Sequence, residues 1–144
     1  MTQMEIKEVI YGFGHKNIRA THPTTFEITK EKHVTLNGDC IVVSSADKGL
    51  LDLNKEFLDA LCRNDAKLKI IFEVENEAEY VEALGSEELK LGHPAEMVVR
   101  KSKFISDRTL AVLANKAAKD FSRSIVQNLK DPEKKVKITL IVYI

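Results

Sequence analysis

Between Gly14 and Thr29 the chain reads GHKNIRATHPTTFEIT, a dense run of side chains that can ionise or hydrogen-bond. His22 is an imidazole, and the hydroxyls of Thr24 and Thr25 stand beside it. Farther along, Arg100, Ser102 and Lys103 pair cations with a hydroxyl again. Guanidinium, ammonium and hydroxyl groups together suit a phosphate or carboxylate ligand. Arg19, Lys48, Arg108 and Lys116 are further cations able to join them. Glu27, Asp39 and Asp47 are carboxylates that could hold Mg²⁺ for phosphodiester cleavage, although nothing in their spacing requires it. These types make His22, Asp39 and Asp47 the catalytic candidates. Arg19, Thr24, Thr25, Lys48, Arg100, Ser102, Lys103, Arg108 and Lys116 are the substrate-binding candidates. No metal-ligand set is assigned: His15, His22, His33 and His93 have neither HxH nor HExxH spacing, and Cys40 and Cys62 have no CxxC partner. P-loop and GxGxxG fingerprints are also absent.

Each candidate has a structural alternative. On a regular strand Ile18, Ala20, His22, Thr24, Phe26 and Ile28 share one face, so His22 and Thr24 would be either hydrogen-bonded core features or the wall of a cleft. Pro23 lacks an amide hydrogen and predicts an edge or bulge there. Cys40 in GDCIVV reads as a buried cysteine on a strand rather than an activated thiolate.

At 144 residues the chain has the length of one ordinary domain. With 44% hydrophobic and 31% charged residues the composition is globular. The 22 basic and 22 acidic side chains cancel, which removes any strong global attraction to nucleic acid or membrane. From Met97 to Lys137, however, eleven basic residues face four acidic ones, a local excess that could meet phosphates. The start, MTQMEIKEVIYGFG, has no long apolar run, so a soluble protein of a reducing, cytoplasmic compartment is expected, with no membrane partner.

The elements that must position these residues occur twice. Shifted by 68, Asp39–Val74 and Asp107–Val142 match at nine of 36 positions, including Asp39/Asp107, Lys48/Lys116 and Asp52/Asp120. Chance gives roughly two. Upstream, Gly14-His15 matches Gly92-His93 and Phe26 matches Phe104 at a shift of 78, which sets His22 against Arg100 and Thr24 against Ser102. The first copy then carries an extra, hairpin-like stretch ending at Asn37-Gly38. Lys67–Val74 and Val136–Ile144 alternate as strands, the second apolar on both faces toward its end and therefore central. Short amphipathic helices precede them, with Asn54 and Ser122 as N-caps and Phe57, Leu58, Leu61 and Ile125, Val126, Leu129 as buried stripes. Asn17–Thr29 and Met97–Phe104 read as strands, while Thr109–Ala114 is open to strand or helix. The predicted fold is mostly β (α+β): two pseudo-symmetric β-β-β-α-β halves, 1–74 and 75–144, packed as one sandwich or barrel-like domain over residues 1–144.

The segments GHKNIRATHPTTFEITKE, GDCIVV with ADKGLLDL, and RKSKFISDRTLAVLANKAAKD resemble the archaeal family called domain of unknown function 371. The resemblance implies an archaeal source and a jelly-roll-like fold, and such proteins sometimes carry an endonuclease label. Its pattern singles out His15, Asn17, Arg19, His22, Thr24, Thr25, Asp39, Asp47, Lys48, Ser106, Asp107, Arg108 and Lys116. Asn115 stands where the pattern more often has Asp. Two readings follow. One is an enzyme or binder acting on a phosphate-bearing substrate, nucleic acid included, with a divalent metal such as Mg²⁺ as its cofactor. The other is a non-catalytic binding or assembly module, as a monomer or a homodimer.

Overall fold

Residues 3–144, described by a computed structural model, form a mostly β, α+β structure with two sheets and two helices. Strands β1 (Glu5–Phe13), β2 (Thr25–Thr29) and β3 (Ile41–Val43) lead to helix α1 (Lys55–Leu61) and strand β4 (Lys67–Val74). The same order follows in β5 (Glu77–Leu84), β6 (Glu96–Arg100), β7 (Thr109–Ala111), α2 (Arg123–Leu129) and β8 (Lys135–Tyr143). Sheet A, in the order β1-β8-β4-β5, is antiparallel throughout. Sheet B, in the order β3-β2-β6-β7, is antiparallel only at its central pair, and its outer pairs β2/β3 and β6/β7 run parallel. Sheet B thereby departs from an all-antiparallel jelly roll. Single bridges, Phe13 to Ser44 and Leu84 to Val112, join the sheets along both edges.

The strands bury alternate residues because a pleated chain points successive side chains to opposite faces. Leu68, Ile70, Phe72 and Val74 of β4 face inward, as do Val136, Ile138, Leu140 and Val142 of β8. β8 is central, flanked by β1 and β4, which explains the apolar residues on both of its faces. Phe26 of sheet B, Phe72 of sheet A and Phe121 just before α2 meet edge to face, with centroids 5.2–5.7 Å apart. Gly12 lets β1 press onto Val43 and Ser44, where a Cβ would collide with both.

Two buried carboxylates tie the helices to sheet A. Glu8 of β1 pairs with Lys48 at 3.0 Å and accepts the backbone amide of Asn54. Glu79 of β5 pairs with Lys116 and accepts the amide of Ser122 at 2.7 Å. Neither Asn54 nor Ser122 caps its helix through its side chain, contrary to the sequence expectation. The glutamates bind the amides of the cap residues themselves, a contact from a distant strand that local sequence does not reveal. Asp52 and Asp120 cap the preceding 3₁₀ turns through the amides of Gly49 and Ala117, each at 2.8 Å.

Three further expectations change. Only Thr25–Thr29 of the stretch Asn17–Thr29 is strand, because His22 and Pro23 form a turn ahead of it. Residues 30–40 contain the turn at Gly38 but no hairpin; they cross over between parallel strands. Thr109–Ala111 is strand, which settles the open choice over that segment.

The upstream register is also different. The amides of Thr21 and His22 donate to the Asp39 carbonyl, and those of Gly92 and His93 donate to that of Asp107. His22 therefore stands opposite His93 in role, at a spacing of 71, and Arg100 lies at the end of β6 instead. Phe104 is exposed whereas Phe26 is fully buried, so these two do not correspond. The dipeptides His22-Pro23 and His93-Pro94 thus stand in like surroundings, whereas the His15 amide donates to the Leu129 carbonyl.

Truncating Glu79 to alanine would strand the Lys116 ammonium and the Ser122 amide in a partly buried setting. Glu79→Ala should cost about 2–4 kcal/mol in urea unfolding. A loss below about 0.5 kcal/mol, typical of surface sites, would show that the contact is not needed.

Candidate functional site

The outward face of sheet B gathers most of the polar groups that converge. β2 turns Phe26 and Ile28 into the core, so Thr25, Glu27 and Thr29 point the other way. On β6, Met97 and Val99 face the core, and Glu96, Val98 and Arg100 face outward. The register sets Thr25 opposite Arg100, Glu27 opposite Val98 and Thr29 opposite Glu96. Cys40 and Arg108, each just before a parallel edge strand, lend their carbonyls to the amides of Glu27 and Val98. Their side chains close on Glu27: Arg108 Nη1 is 3.6 Å and Cys40 Sγ 3.8 Å from Glu27 Oε1. Arg108 also bonds Glu96 at 2.6 Å.

Arg100 is held differently. Its Nε donates to Thr109 Oγ1 at 3.0 Å and its Nη2 to Ser106 Oγ at 3.2 Å. Its guanidinium lies over the Phe104 ring, 4.9 Å from the centroid. Among the described residues no carboxylate comes within 4.0 Å of it, so a half-buried cation has only neutral hydroxyls for partners. Burial, and then the neighbouring Arg108, lower its pKa.

Glu27 is 5% exposed, and burial pushes its carboxyl up to about 7. The neighbouring Glu96 adds to the rise, while Arg108 opposes it. Glu27 therefore exchanges a proton near neutral pH. Burial followed by the charges of Glu27 and Asp39 lifts the Cys40 thiol to about 11, which keeps it protonated and a poor nucleophile.

His22 borders this face. Its Nδ1 accepts the amides of Thr24 and Thr25 at 3.2 and 3.1 Å, and the Thr25 hydroxyl lies 3.1 Å away. Accepting two amides fixes Nδ1 as the acceptor and places the proton of the neutral ring on Nε2. His93 makes the same turn, with the amides of Ala95 and Glu96. Arg123 secures the approach to His22 by donating to the carbonyls of Ala20, Ala118, Lys119 and Phe121.

Of the sequence candidates, the structure brings Thr25, Arg100 and Arg108 to this face, with His22, Thr24 and Asp39 at its margin. The others serve elsewhere. Asp47 accepts the Tyr11 amide at 3.0 Å beside β1. Asn115 accepts the Glu82 amide at 3.0 Å beside β5, so the amide side chain does there what a carboxylate would, and no charge is needed. Lys48 and Lys116 hold the buried glutamates, Arg19 bonds the Leu36 carbonyl, Ser102 bonds the Phe104 amide, and Lys103 lines a separate cavity of about 280 Å³. Among the described residues no three His, Cys, Asp or Glu side chains gather as a metal site would need.

Sequence reasoning missed Glu96, Thr109 and Arg123. A signal for the centre of the site existed in TFEIT, where one carboxylate interrupts a short apolar strand.

Among proteins, a mostly β chain with paired four-stranded sheets and a charged patch on one of them defines an architecture rather than an activity. The chain belongs to the family described as Domain of unknown function (DUF371), which matches residues 10–143. Uncharacterized protein MJ0206 of Methanocaldococcus jannaschii is 46% identical over 123 residues, covering 85% of this chain and 90% of that one.

The elevated Glu27 carboxyl has a thermodynamic signature. Between pH of about 4.5, its ordinary value, and about 7, the native protein keeps a proton that the unfolded chain has released. Its contribution to stability is complete below about pH 4.5, declines up to about 7, and is constant above. Relative to wild type, Glu27→Gln should gain up to about 3 kcal/mol between pH 4.5 and 8 in paired urea unfolding curves. A difference independent of pH would mean that Glu27 titrates normally.

Proposed function

We propose that the chain binds a phosphate-bearing ligand on the outward face of sheet B, with Arg100 and Arg108 as anion partners and Glu27 as a proton donor and acceptor. The observation that carries this reading is Arg100, a half-buried guanidinium whose hydrogen bonds, among the described residues, go only to the hydroxyls of Ser106 and Thr109. A phosphate oxygen approaching it would give the guanidinium an anionic acceptor where its present acceptors are uncharged. When Glu27 is protonated, the cluster of Arg100, Arg108, Glu96 and Glu27 carries a net positive charge, and its carboxyl can donate to a phosphoryl oxygen. When Glu27 ionises, that excess disappears.

Nucleotide phosphodiesters, nucleic acid included, are the substrate class this reading favours, in a reducing, cytoplasmic setting compatible with the free thiols of Cys40 and Cys62. A hydrolytic role would rest on Glu27 rather than on Asp39, Asp47 and Mg²⁺. Among the described residues no helix is long and apolar enough to cross a membrane.

The two halves of the chain are part of the same proposal: two tandem copies fold as one domain. The repeated element order supports it, as do the paired Glu8–Lys48 and Glu79–Lys116 contacts. Non-glycine residues at positive φ also recur in corresponding places, Ala20 with Leu91 and Ser45 with Leu113. On this view Glu27 and Cys40 come from one copy and Arg100 and Arg108 from the other, so the site arises from the differences between them. A non-catalytic binding module is the second reading. It is favoured by the full satisfaction of buried side-chain polar atoms among the described residues, which a purely structural network would also display.

A dinucleotide phosphodiester is a suitable probe because its charge is constant near neutral pH. Followed by NMR shift perturbation, binding should weaken as pH rises through about 7, and this dependence should vanish in Glu27→Gln. Arg100→Ala should weaken binding about tenfold or more. Affinity unchanged by Arg100→Ala would sink the assignment. Binding without turnover of any phosphodiester, in wild type and with Mg²⁺ or Mn²⁺ added, selects the non-catalytic reading.

A further inference from the structure

The outward face of sheet A plays no part in the site above, and it lies open. Tyr80 is 52% and Tyr11 37% exposed there, and Lys7, Lys67, Lys135 and Lys137 are exposed as well. The strand registers place Tyr80, Ile71, Thr139 and Val9 on one rung that crosses all four strands. Lys69 and Lys7 flank this rung on one side and Lys137 on the other, with Lys135 one step beyond. The two central strands thus carry the same Lys-x-Lys, at 67/69 and at 135/137.

Five lysines share the face with three glutamates, Glu5, Glu73 and Glu82. Among the described residues, none of the five lysines has a carboxylate within 4.0 Å. Two rest on aromatic rings instead: Lys69 Nζ is 5.4 Å from the centroid of Tyr80, and Lys135 Nζ is 4.5 Å from that of Tyr11. Lysines with structural work in this protein, Lys48 and Lys116, are bound to buried carboxylates. Those on sheet A have no such work.

We infer that this face binds single-stranded nucleic acid. Exposed tyrosine rings offer stacking surfaces to unpaired bases, and unpaired lysines on either side of the apolar rung meet the phosphates between them. A duplex keeps its bases stacked inside and would use only the charges. A second copy of the chain fits poorly, since two such faces would oppose like charges without burying a large apolar patch. Recognition of this kind is tolerant of sequence, because every base has a π face.

The test is fluorescence anisotropy with a labelled oligothymidylate of about twelve nucleotides, single-stranded or annealed to its complement, at about 50 and about 200 mM salt. The single strand should bind more tightly than the duplex, and its affinity should fall with salt. Lys135→Ala/Lys137→Ala should flatten the logarithmic salt slope by about 1.4, two phosphates at about 0.7 each. Tyr80→Ala should weaken single-strand binding at least about fivefold, whereas Tyr80→Phe keeps the ring and the affinity. The losses caused by Tyr80→Ala and by the lysine pair should persist in an Arg100→Ala background, which separates the proposal from the anion site. Absence of single-strand binding at the lower salt overturns the inference, as does binding indifferent to Tyr80→Ala and the lysine pair. Self-association in sedimentation that is lost in those same variants would assign the face to a second copy instead.

Discussion

Five rungs of antiparallel pairing between β2 and β6, from Thr25–Arg100 to Thr29–Glu96, set the geometry on which the core and the candidate site both depend. On one side of this ribbon Phe26, Ile28, Met97 and Val99 close the core against sheet A. On the other side the same register puts Glu27 within reach of Arg108 and Glu96. A slip of one residue would reverse both faces at once, driving Glu27 into the aromatic cluster and Phe26 into solvent. The three phenylalanines guard against that slip, because their edge-to-face contact is available in only one register.

The charge arrangement follows from how little solvent reaches this ribbon. An isolated buried carboxylate is costly, and proteins relieve the cost by pairing it or by leaving it protonated. Glu8 and Glu79 take the first course, each with a lysine and a backbone amide. Glu27 takes an intermediate one: Arg108 is near but is engaged more closely by Glu96, so the proton is held up to about pH 7. Three buried glutamates in one small protein thus divide into two that fasten helices and one with a proton to exchange.

Much of the architecture was legible in the sequence because alternation and short amphipathic stripes report burial locally. The strand Lys67–Val74, its counterpart ending the chain, and the helix stripes at Phe57 and Ile125 all appear in the structure. Polar residues were harder to place, since their role depends on distant partners. Lys48 and Arg19, substrate-binding candidates by type, bond Glu8 and the Leu36 carbonyl, and Asp47, a catalytic candidate, accepts the Tyr11 amide. The supposed N-caps failed for the same reason, the true acceptors lying 46 and 43 residues away. Arg100 was named for its residue type and for its alignment with His22, whereas the structure sets it across the strands from Thr25.

The bonds of Asp47 and Asn115 have a consequence for how the molecule meets others. Asp47 exchanges backbone and side-chain bonds with Tyr11, and Asn115 does so with Glu82, so each imitates one residue of an additional strand along the rim of sheet A. With the bridges at Ser44 and Val112, both rims are occupied at these positions by the chain's own loops. An extended peptide seeking to add itself as a further strand would have to displace them. Edge-to-edge aggregation is disfavoured for the same reason. Association is thereby directed away from the rims and toward the flat faces, where side chains rather than backbone decide what is accepted.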